Sequence, residues 1–289
     1  MPETIQVKRC SHDTDIVYSC AIALKLAPVL QLRAIDIAHQ LMNAFKEGNR
    51  ELGELGEKNW SWELGVTNTQ QITLNNLNFR VEVVSSGWIY FRLEEESLAT
   101  YLQQLISWRD RERGSGGEGV RGDSEHLFPI QYAHARCCSL LRLAHRQGVI
   151  KLSDANGTTY NGEWDRSSSN SPKTDKNPNS QFPIPNSQFP ILNSQFSMLL
   201  VHPAERHLIA QIVDVQDALS NHSQLQGVKL AGELSQAFEQ FYRSCRIWGE
   251  VKSQTPKVAQ ARLGLVAVTR VLLRSLLEEH LSTFAPVEL

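Results

Sequence analysis

Aromatic and cationic side chains in the second half of this 289-residue chain could together hold a single-stranded nucleic acid. Tyr132 and Phe241 could each stack on an unpaired base, an interaction worth roughly 1–3 kcal/mol per base. A basic surface could contact the phosphates, although a solvated helix face and ordinary packing aromatics would give the same pattern. The segment 229–274 has eight lysines and arginines against three acids: Lys229, Arg243, Arg246, Lys252, Lys257, Arg262, Arg270 and Arg274, with Glu233, Glu239 and Glu250.

Metal and nucleotide chemistry is not indicated by the other polar residues. His202, Glu205 and His207 do not have the spacing of an established zinc motif. The glycine-rich stretch 114–117 lacks the Lys-Ser/Thr that follows a phosphate-binding loop and the strand that precedes one. We therefore predict no metal, no cofactor and no catalytic residue.

The cysteines and the hydropathy pattern predict a soluble, cytoplasmic protein. An odd number of cysteines without regular spacing argues against a disulfide framework and for a reducing compartment. Cys137 and Cys138 are adjacent, so on a helix they would point to different faces and could not easily share a metal. No apolar run approaches the roughly 18–20 residues needed to span a bilayer. The five cysteines are Cys10, Cys20, Cys137, Cys138 and Cys245.

These side chains would be positioned by two domains, of which the first is predicted over residues 1–108 as a small α+β unit with an antiparallel sheet. Apolar residues at intervals of three and four predict helices between Tyr18 and Phe45. The acidic, glycine-containing stretch from Glu47 to Glu57 is interpreted as a loop. Alternating apolar residues predict strands at 72–74 and 79–83, and the run 88–93 predicts a third strand. Residues 94–108 are interpreted as a following helix.

The second domain is predicted over residues 127–289 as an all-α antiparallel bundle. The preceding residues 109–126 are charged, glycine-rich and aperiodic, which is typical of a linker. Leu263 to Leu277 has a broad apolar face, as a central buried helix would have. Within the domain, NSQF recurs at seven-residue spacing from Asn179, but the intervening prolines exclude a coiled coil. We interpret residues 153–197 as a disordered insertion.

The segment from Phe128 to Arg142, FPIQYAHARCCSLLR, resembles the opening helix of the DALR-type anticodon-binding domain of arginyl-tRNA synthetases. Three later segments are similar to further parts of that domain, in the family's order: HPAER at 202–206, AF..FYRSCR at 237–246 and RL…TRVL at 262–272. The resemblance covers 127–286 apart from the insertion. It implies anticodon contacts from eight side chains: Gln131, Tyr132, His134, Arg136, Arg142, Phe241, Tyr242 and Arg246.

The first domain is similar to the N-terminal domain of the same synthetases at two places. Ile16 to Ala27 is similar to the family's GDY..N.ALKLAK run, and Val83 to Phe91 is similar to its V.GPGFINF strand. In the family this domain holds the tRNA elbow, which implies D-loop contacts from Ser85, Trp88 and Tyr90. The alternative is that Trp88 and Phe91 simply belong to the core of the sheet.

A complete arginyl-tRNA synthetase has a nucleotide-binding catalytic domain between these two parts, with a HIGH-like motif and usually a KMSK-like loop. Here only the 18 residues 109–126 stand at that place, too few for a doubly wound sheet. Neither motif has a counterpart elsewhere in the sequence. We therefore expect no aminoacylation by this chain on its own.

Three hypotheses follow from these observations. The first is a tRNA-binding protein that recognises the anticodon stem-loop, and through the first domain the elbow, with arginine isoacceptors as candidate ligands. The second is an accessory subunit or remnant of arginine–tRNA ligase that supplies tRNA affinity to a catalytic synthetase chain. The third is a protein-interaction module that has kept the bundle and lost RNA binding.

Overall fold

The computed structural model describes residues 7–10, 15–53, 69–74, 77–111, 125–153, 184–185, 199–220 and 227–289. Contacts divide the chain into two compact units, Met1–Tyr101 and Leu102–Leu289. The predicted insertion therefore lies outside the described residues except for Ser153 and the pair 184–185. No described helix is long and apolar enough to cross a membrane.

The first unit is a five-stranded antiparallel sheet with two helices inserted in its sequence. Its strands lie in the order β1-β2-β5-β4-β3. The predicted α+β unit with an antiparallel sheet is confirmed. The elements in chain order are β1 (Val7–Cys10), β2 (Val17–Cys20), α1 (Ile22–Leu30), α2 (Ala34–Gly53), β3 (Thr69–Leu74), β4 (Leu77–Val83) and β5 (Ile89–Leu93), followed by α3 (Glu95–Arg111).

Two local predictions in this unit were wrong. Tyr18 lies in strand β2, not in a helix, because the β-prone run Val17–Cys20 pairs on both sides, with β1 and with β5. The acidic stretch after Glu47 is not a loop at its start, since α2 continues to Gly53. The helix-forming residues around Gly48 outweigh a glycine cost of about 1 kcal/mol.

The core of the first unit lies on one face of the sheet. Ile89 is buried in it and Phe91 packs against it, so strand alternation places Trp88 and Tyr90 on the opposite face. Helices α1 and α2 supply the other side of the core. Its buried members are Cys20, Ala23, Ile37, Ala38, Met42, Val81, Val83 and Ile89.

A tight turn joins β4 to β5 and fixes the position of Trp88, which directly precedes β5. The Gly87 N–H donates to the Val84 carbonyl at 2.8 Å, and the Val84 N–H donates to the Trp88 carbonyl at 3.1 Å. Gly87 has φ +88°, and a Cβ there would lie 2.6 Å from the Cβ of Ala34. Only glycine meets both the backbone angle and the close approach of α2.

The second unit is an all-α bundle built around one buried helix, as predicted. This central helix, α8, is buried along almost its whole length and contacts α4, α5 and α6. Prolines stand in the first turns of α4 and α8, where a missing N–H costs nothing. The helices are α4 (Phe128–Arg146), α5 (Pro203–Ser220), α6 (Gly227–Ser244), α7 (Glu250–Gln254) and α8 (Pro256–Ser275), which continues into a π turn (Leu276–His280).

The segments around these helices depart slightly from the predicted boundaries. The predicted linker 109–126 overlaps the end of α3 and a 3-10 turn at Glu125–Leu127, while residues 112–124 lie outside the described residues. A two-residue strand, β6 (Leu152–Ser153), pairs with β7 (Ile184–Pro185).

A buried carboxylate, that of Glu205, ties three helices of the bundle together. Its Oε1 accepts a hydrogen bond from Arg262 Nε on α8 at 2.7 Å, and its Oε2 accepts one from the His202 N–H at 2.8 Å. His202 Nδ1 in turn accepts from the Ala204 N–H at 3.1 Å, so the two side chains cap the start of α5 reciprocally, in the manner of a capping box. Arg262 also donates to the Arg246 carbonyl just beyond α6. The HPAER segment therefore starts α5, and the Glu205–Arg262 pair, which we call the clamp, holds α5, α8 and the end of α6 together.

Replacing Gly87 by alanine should destabilise the first unit by about 1–3 kcal/mol, because the new Cβ meets Ala34 and the positive φ is strained. Native-state hydrogen exchange of the β4 and β5 amides measures this loss. Ser86→Ala, at the exposed neighbouring position of the same turn, should change the exchange free energy by less than about 0.5 kcal/mol. Equal protection in both variants would contradict the packing described.

Glu205→Gln should lower the free energy of unfolding by about 3–5 kcal/mol, because it leaves the largely buried Arg262 without its counter-charge. Urea titration followed by far-ultraviolet circular dichroism gives the value. The matched control is Glu233→Gln, whose pair with Lys229 is exposed and 3.9 Å long, and which should cost about 0–1 kcal/mol. Similar losses in both variants would rule out Glu205 as the clamp.

Candidate nucleic-acid interface

An aromatic ladder with an arginine at its centre joins α4 to α6. Phe128, Tyr132 and Arg136 are four residues apart and so lie on one face of α4. The Phe128 and Tyr132 rings stack with centroids 6.3 Å apart. The Arg136 guanidinium lies 5.9 Å from the Tyr132 ring and 4.4 Å from the Tyr242 ring on α6. Tyr242 stacks on Phe238 at 6.4 Å, which completes the aromatic ladder.

The ladder is anchored at one end and open at the other. Phe238 is fully buried, whereas Tyr132 is 37% exposed and Phe128 is 56% exposed. Arg136 Nη1 donates to the Tyr132 hydroxyl at 2.9 Å, which fixes the guanidinium plane. Partial burial alone would lower the pKa of Arg136, but its interactions with Tyr242 and Tyr132 raise it. The ladder therefore offers flat π surfaces beside a fixed cation.

Three of the predicted anticodon residues hold the segment 284–288 against α4. His134 and Arg142 are both buried, at 1% and 7% exposure, and each bonds to a main-chain carbonyl. Arg142 also pairs with the Glu288 carboxylate at 2.9 Å. The carbonyl contacts are Gln131–Phe284 at 3.0 Å, His134–Pro286 at 2.8 Å and Arg142–Val287 at 2.6 Å. In this conformation these side chains act by placing that segment.

Phe241 requires a correction, since it is completely buried and packs on Phe238 at 6.4 Å. It cannot stack on a base from there. Its neighbour Tyr242 is half-buried and reaches the ladder, and Arg246 is exposed. Phe241 continues the apolar stripe of α6 with Leu234 and Phe238, and this spacing already indicated a core position.

Sequence reasoning did not select Phe128, the most exposed ring of the ladder. Its spacing of four residues from Tyr132 was the signal that could have found it. Cys137 and Cys138, which directly follow Arg136, are fully buried, and burial raises the pKa of Cys138 to about 11 and that of Cys137 well above its ordinary value. Among the described residues, no group of three histidines, cysteines or acids could hold a metal.

In the first unit, the three predicted elbow residues lie at and after the β4–β5 turn. Ser85 is exposed in that turn, and Trp88 is half-buried. Tyr90 stands between Ser19 and Glu82 of the neighbouring strands, on the sheet face opposite the core. Of the two aromatics that could have belonged to the core, Phe91 packs against it and Trp88 does not.

The same sheet face carries two arginines close to acids. Arg92 pairs with Asp15, and Arg80 pairs with Glu94 at 3.0 Å. Both arginines are partly exposed, at 38% and 45% of the side chain. Trp88 and Tyr90 thus lie on a polar face with cations beside them.

Comparisons with known proteins match parts of this chain. The DALR anticodon binding domain matches residues 184–278, which include α5, α6 and α8. The chain is 29% identical over 155 residues to the arginine–tRNA ligase of Moorella thermoacetica, and 28% identical over 162 residues to that of Heliobacterium modesticaldum. These matches cover 52% and 54% of this chain.

The matched regions span only 20% and 22% of the two ligases. No solved structure matches the chain. The DALR match begins at residue 184 and so does not include α4, which carries half of the aromatic ladder. The DALR match includes three of the four sequence segments, 202–206, 237–246 and 262–272. Together with the two ligases, it supports a relationship of this chain to the arginyl-tRNA synthetases.

Proposed function

We propose that this chain binds tRNA and that the aromatic ladder receives unpaired bases of the anticodon stem-loop. The observation that carries the proposal is the Arg136 guanidinium between the rings of Tyr132 and Tyr242. Sequence-specific RNA recognition targets splayed loop bases, which stack on aromatic rings and on arginine planes. A fixed stack with an exposed end supplies such a platform.

Exposed cations near the ladder suit the phosphates that connect such bases. Arg243 and Arg246 follow Tyr242 in the sequence, and both are exposed. Arg243 is paired with Glu239 at 2.7 Å, but at 77% side-chain exposure this pair is weak and can be exchanged for a phosphate. Binding through such contacts falls steeply with salt.

The relatives support tRNA as the ligand. The matched domain family is named for anticodon binding, and the matched residues include Tyr242 and Arg246. The two relatives are named arginine–tRNA ligases, and we extend the proposal to arginine isoacceptors on that ground. The proposed function is binding, and it requires no group that activates an amino acid.

The first unit supplies a second contact in this proposal. Trp88 lies on the sheet face away from the core and Ser85 lies in the exposed turn before it, an arrangement that suits one base of the tRNA elbow. Tyr90 on the same face, with its hydroxyl, would bond to the edge or sugar of that base.

Tyr242→Leu and Tyr132→Leu should each weaken tRNA binding by about 5- to 150-fold, the loss of one stacking contact. Fluorescence anisotropy with labelled tRNA at fixed salt measures the dissociation constants. Lys25→Gln removes an exposed cation from α1 in the first unit and should leave the affinity within about twofold. If both tyrosine variants bind tRNA like the unmodified chain, the aromatic ladder is not the base platform. If the unmodified chain does not bind tRNA, the hypothesis of a protein-interaction module is favoured.

Trp88→Leu should weaken binding of whole tRNA by about 5-fold or more and leave binding of an isolated anticodon stem-loop unchanged, because only the whole molecule has an elbow. The two RNAs are titrated in parallel with the same chain. The variant Tyr90→Phe keeps the aromatic ring and loses only the hydroxyl, so it should have a smaller effect. An equal loss for both RNAs would rule out Trp88 as a contact to the tRNA elbow.

A further inference from the structure

A groove of about 550 Å³ lies beside the aromatic ladder, between the start of α4 and the length of α6. Pro129, which lines it, follows Phe128 of the ladder, and Arg243, which also lines it, follows Tyr242. Its walls combine apolar side chains, such as Ile130, with the amides of Gln236 and Gln240. The groove and the ladder therefore share the same two helices.

One residue that lines the groove is a glycine that the helix itself does not need. Gly232 lies in the interior of α6, where glycine is the least favourable residue apart from proline. Its φ is not positive, and a Cβ there would meet no atom within 4 Å. By contrast, a Cβ on Gly227 would lie 3.2 Å from the Leu281 side chain. Gly232 is thus explained by neither packing nor backbone angle, and a side chain there would extend into open space at the groove.

The chemistry of the groove matches a nucleobase. A base has flat, largely apolar faces and an edge with both hydrogen-bond donors and acceptors. Gln236 and Gln240 supply donors and acceptors, while Glu239 accepts and Arg243 donates.

We propose that this groove receives one unpaired nucleobase of the RNA whose neighbouring bases stack on the aromatic ladder. The proposal rests on the proposed function and adds a specificity-determining subsite to it. Gly232 sets the depth of the subsite, and the two glutamines with Glu239 read the edge of the base.

The test uses the full chain, three variants and synthetic anticodon stem-loop RNAs, each with one loop base replaced by an abasic site. One abasic position should weaken binding to the unmodified chain by at least about fivefold. The base missing at this position should be a different one from those that stack on Tyr132 and Tyr242. Gly232→Leu should weaken binding of the intact RNA by a similar factor. For this variant, the RNA with that abasic position should bind no more weakly than the intact RNA. Gly232→Ala should give an intermediate loss, and both variants should unfold at equal or higher urea concentration, since each is a better helix former than glycine.

Gln240→Leu is the variant that does not depend on filling the groove, and it should reduce sensitivity at the same abasic position. If the unmodified chain binds the RNA but Gly232→Ala, Gly232→Leu and Gln240→Leu retain its full abasic profile, the groove is not a base subsite and the proposed function stands. If the unmodified chain binds none of the RNAs, the proposed function fails and the subsite fails with it. A partner protein that binds the groove in place of RNA would belong to this second outcome.

Discussion

The second unit depends on the buried ion pair between Glu205 and Arg262. A buried ion pair adds little net stability over apolar packing, because removing two charges from water costs about as much as their attraction returns. Its effect here is positional, since one carboxylate caps α5 and its partner arginine holds the carbonyl of Arg246. The end of α6 is fixed by this clamp, and Tyr242 lies at that end, in the last turn of the helix.

Helix α4 carries two sets of side chains that contact different parts of the second unit. Phe128, Tyr132 and Arg136 form the face that meets α6, whereas His134 and Arg142 are directed to the segment 284–288. A helical period of 3.6 residues separates these two sets without conflict. Helix α4 also packs on the central helix α8. This packing fixes the orientation of both sets of side chains.

The sequence predicted the class of each unit better than the role of each side chain. A broad apolar face located α8, and alternation located β4, because burial imposes these periods directly. Strand β2 was missed since Val17–Cys20 is too short for a period and is determined by its partners in the sheet. Gln131, His134 and Arg142 were grouped with Tyr132 as base contacts, but their bonds to residues 284–288 join positions far apart in sequence, which no local pattern reports.

Helix α6 explains why a glycine can be tolerated where helices disfavour it. Leu234, Phe238 and Phe241 are fully buried, and this burial favours the helical conformation far more strongly than one residue's propensity opposes it. The clamp at Arg246 restrains the same helix at its other end. The helix can therefore keep an open position at Gly232 on the side that faces away from its apolar stripe, and the stability lost there is small beside the packing that holds the ladder in place.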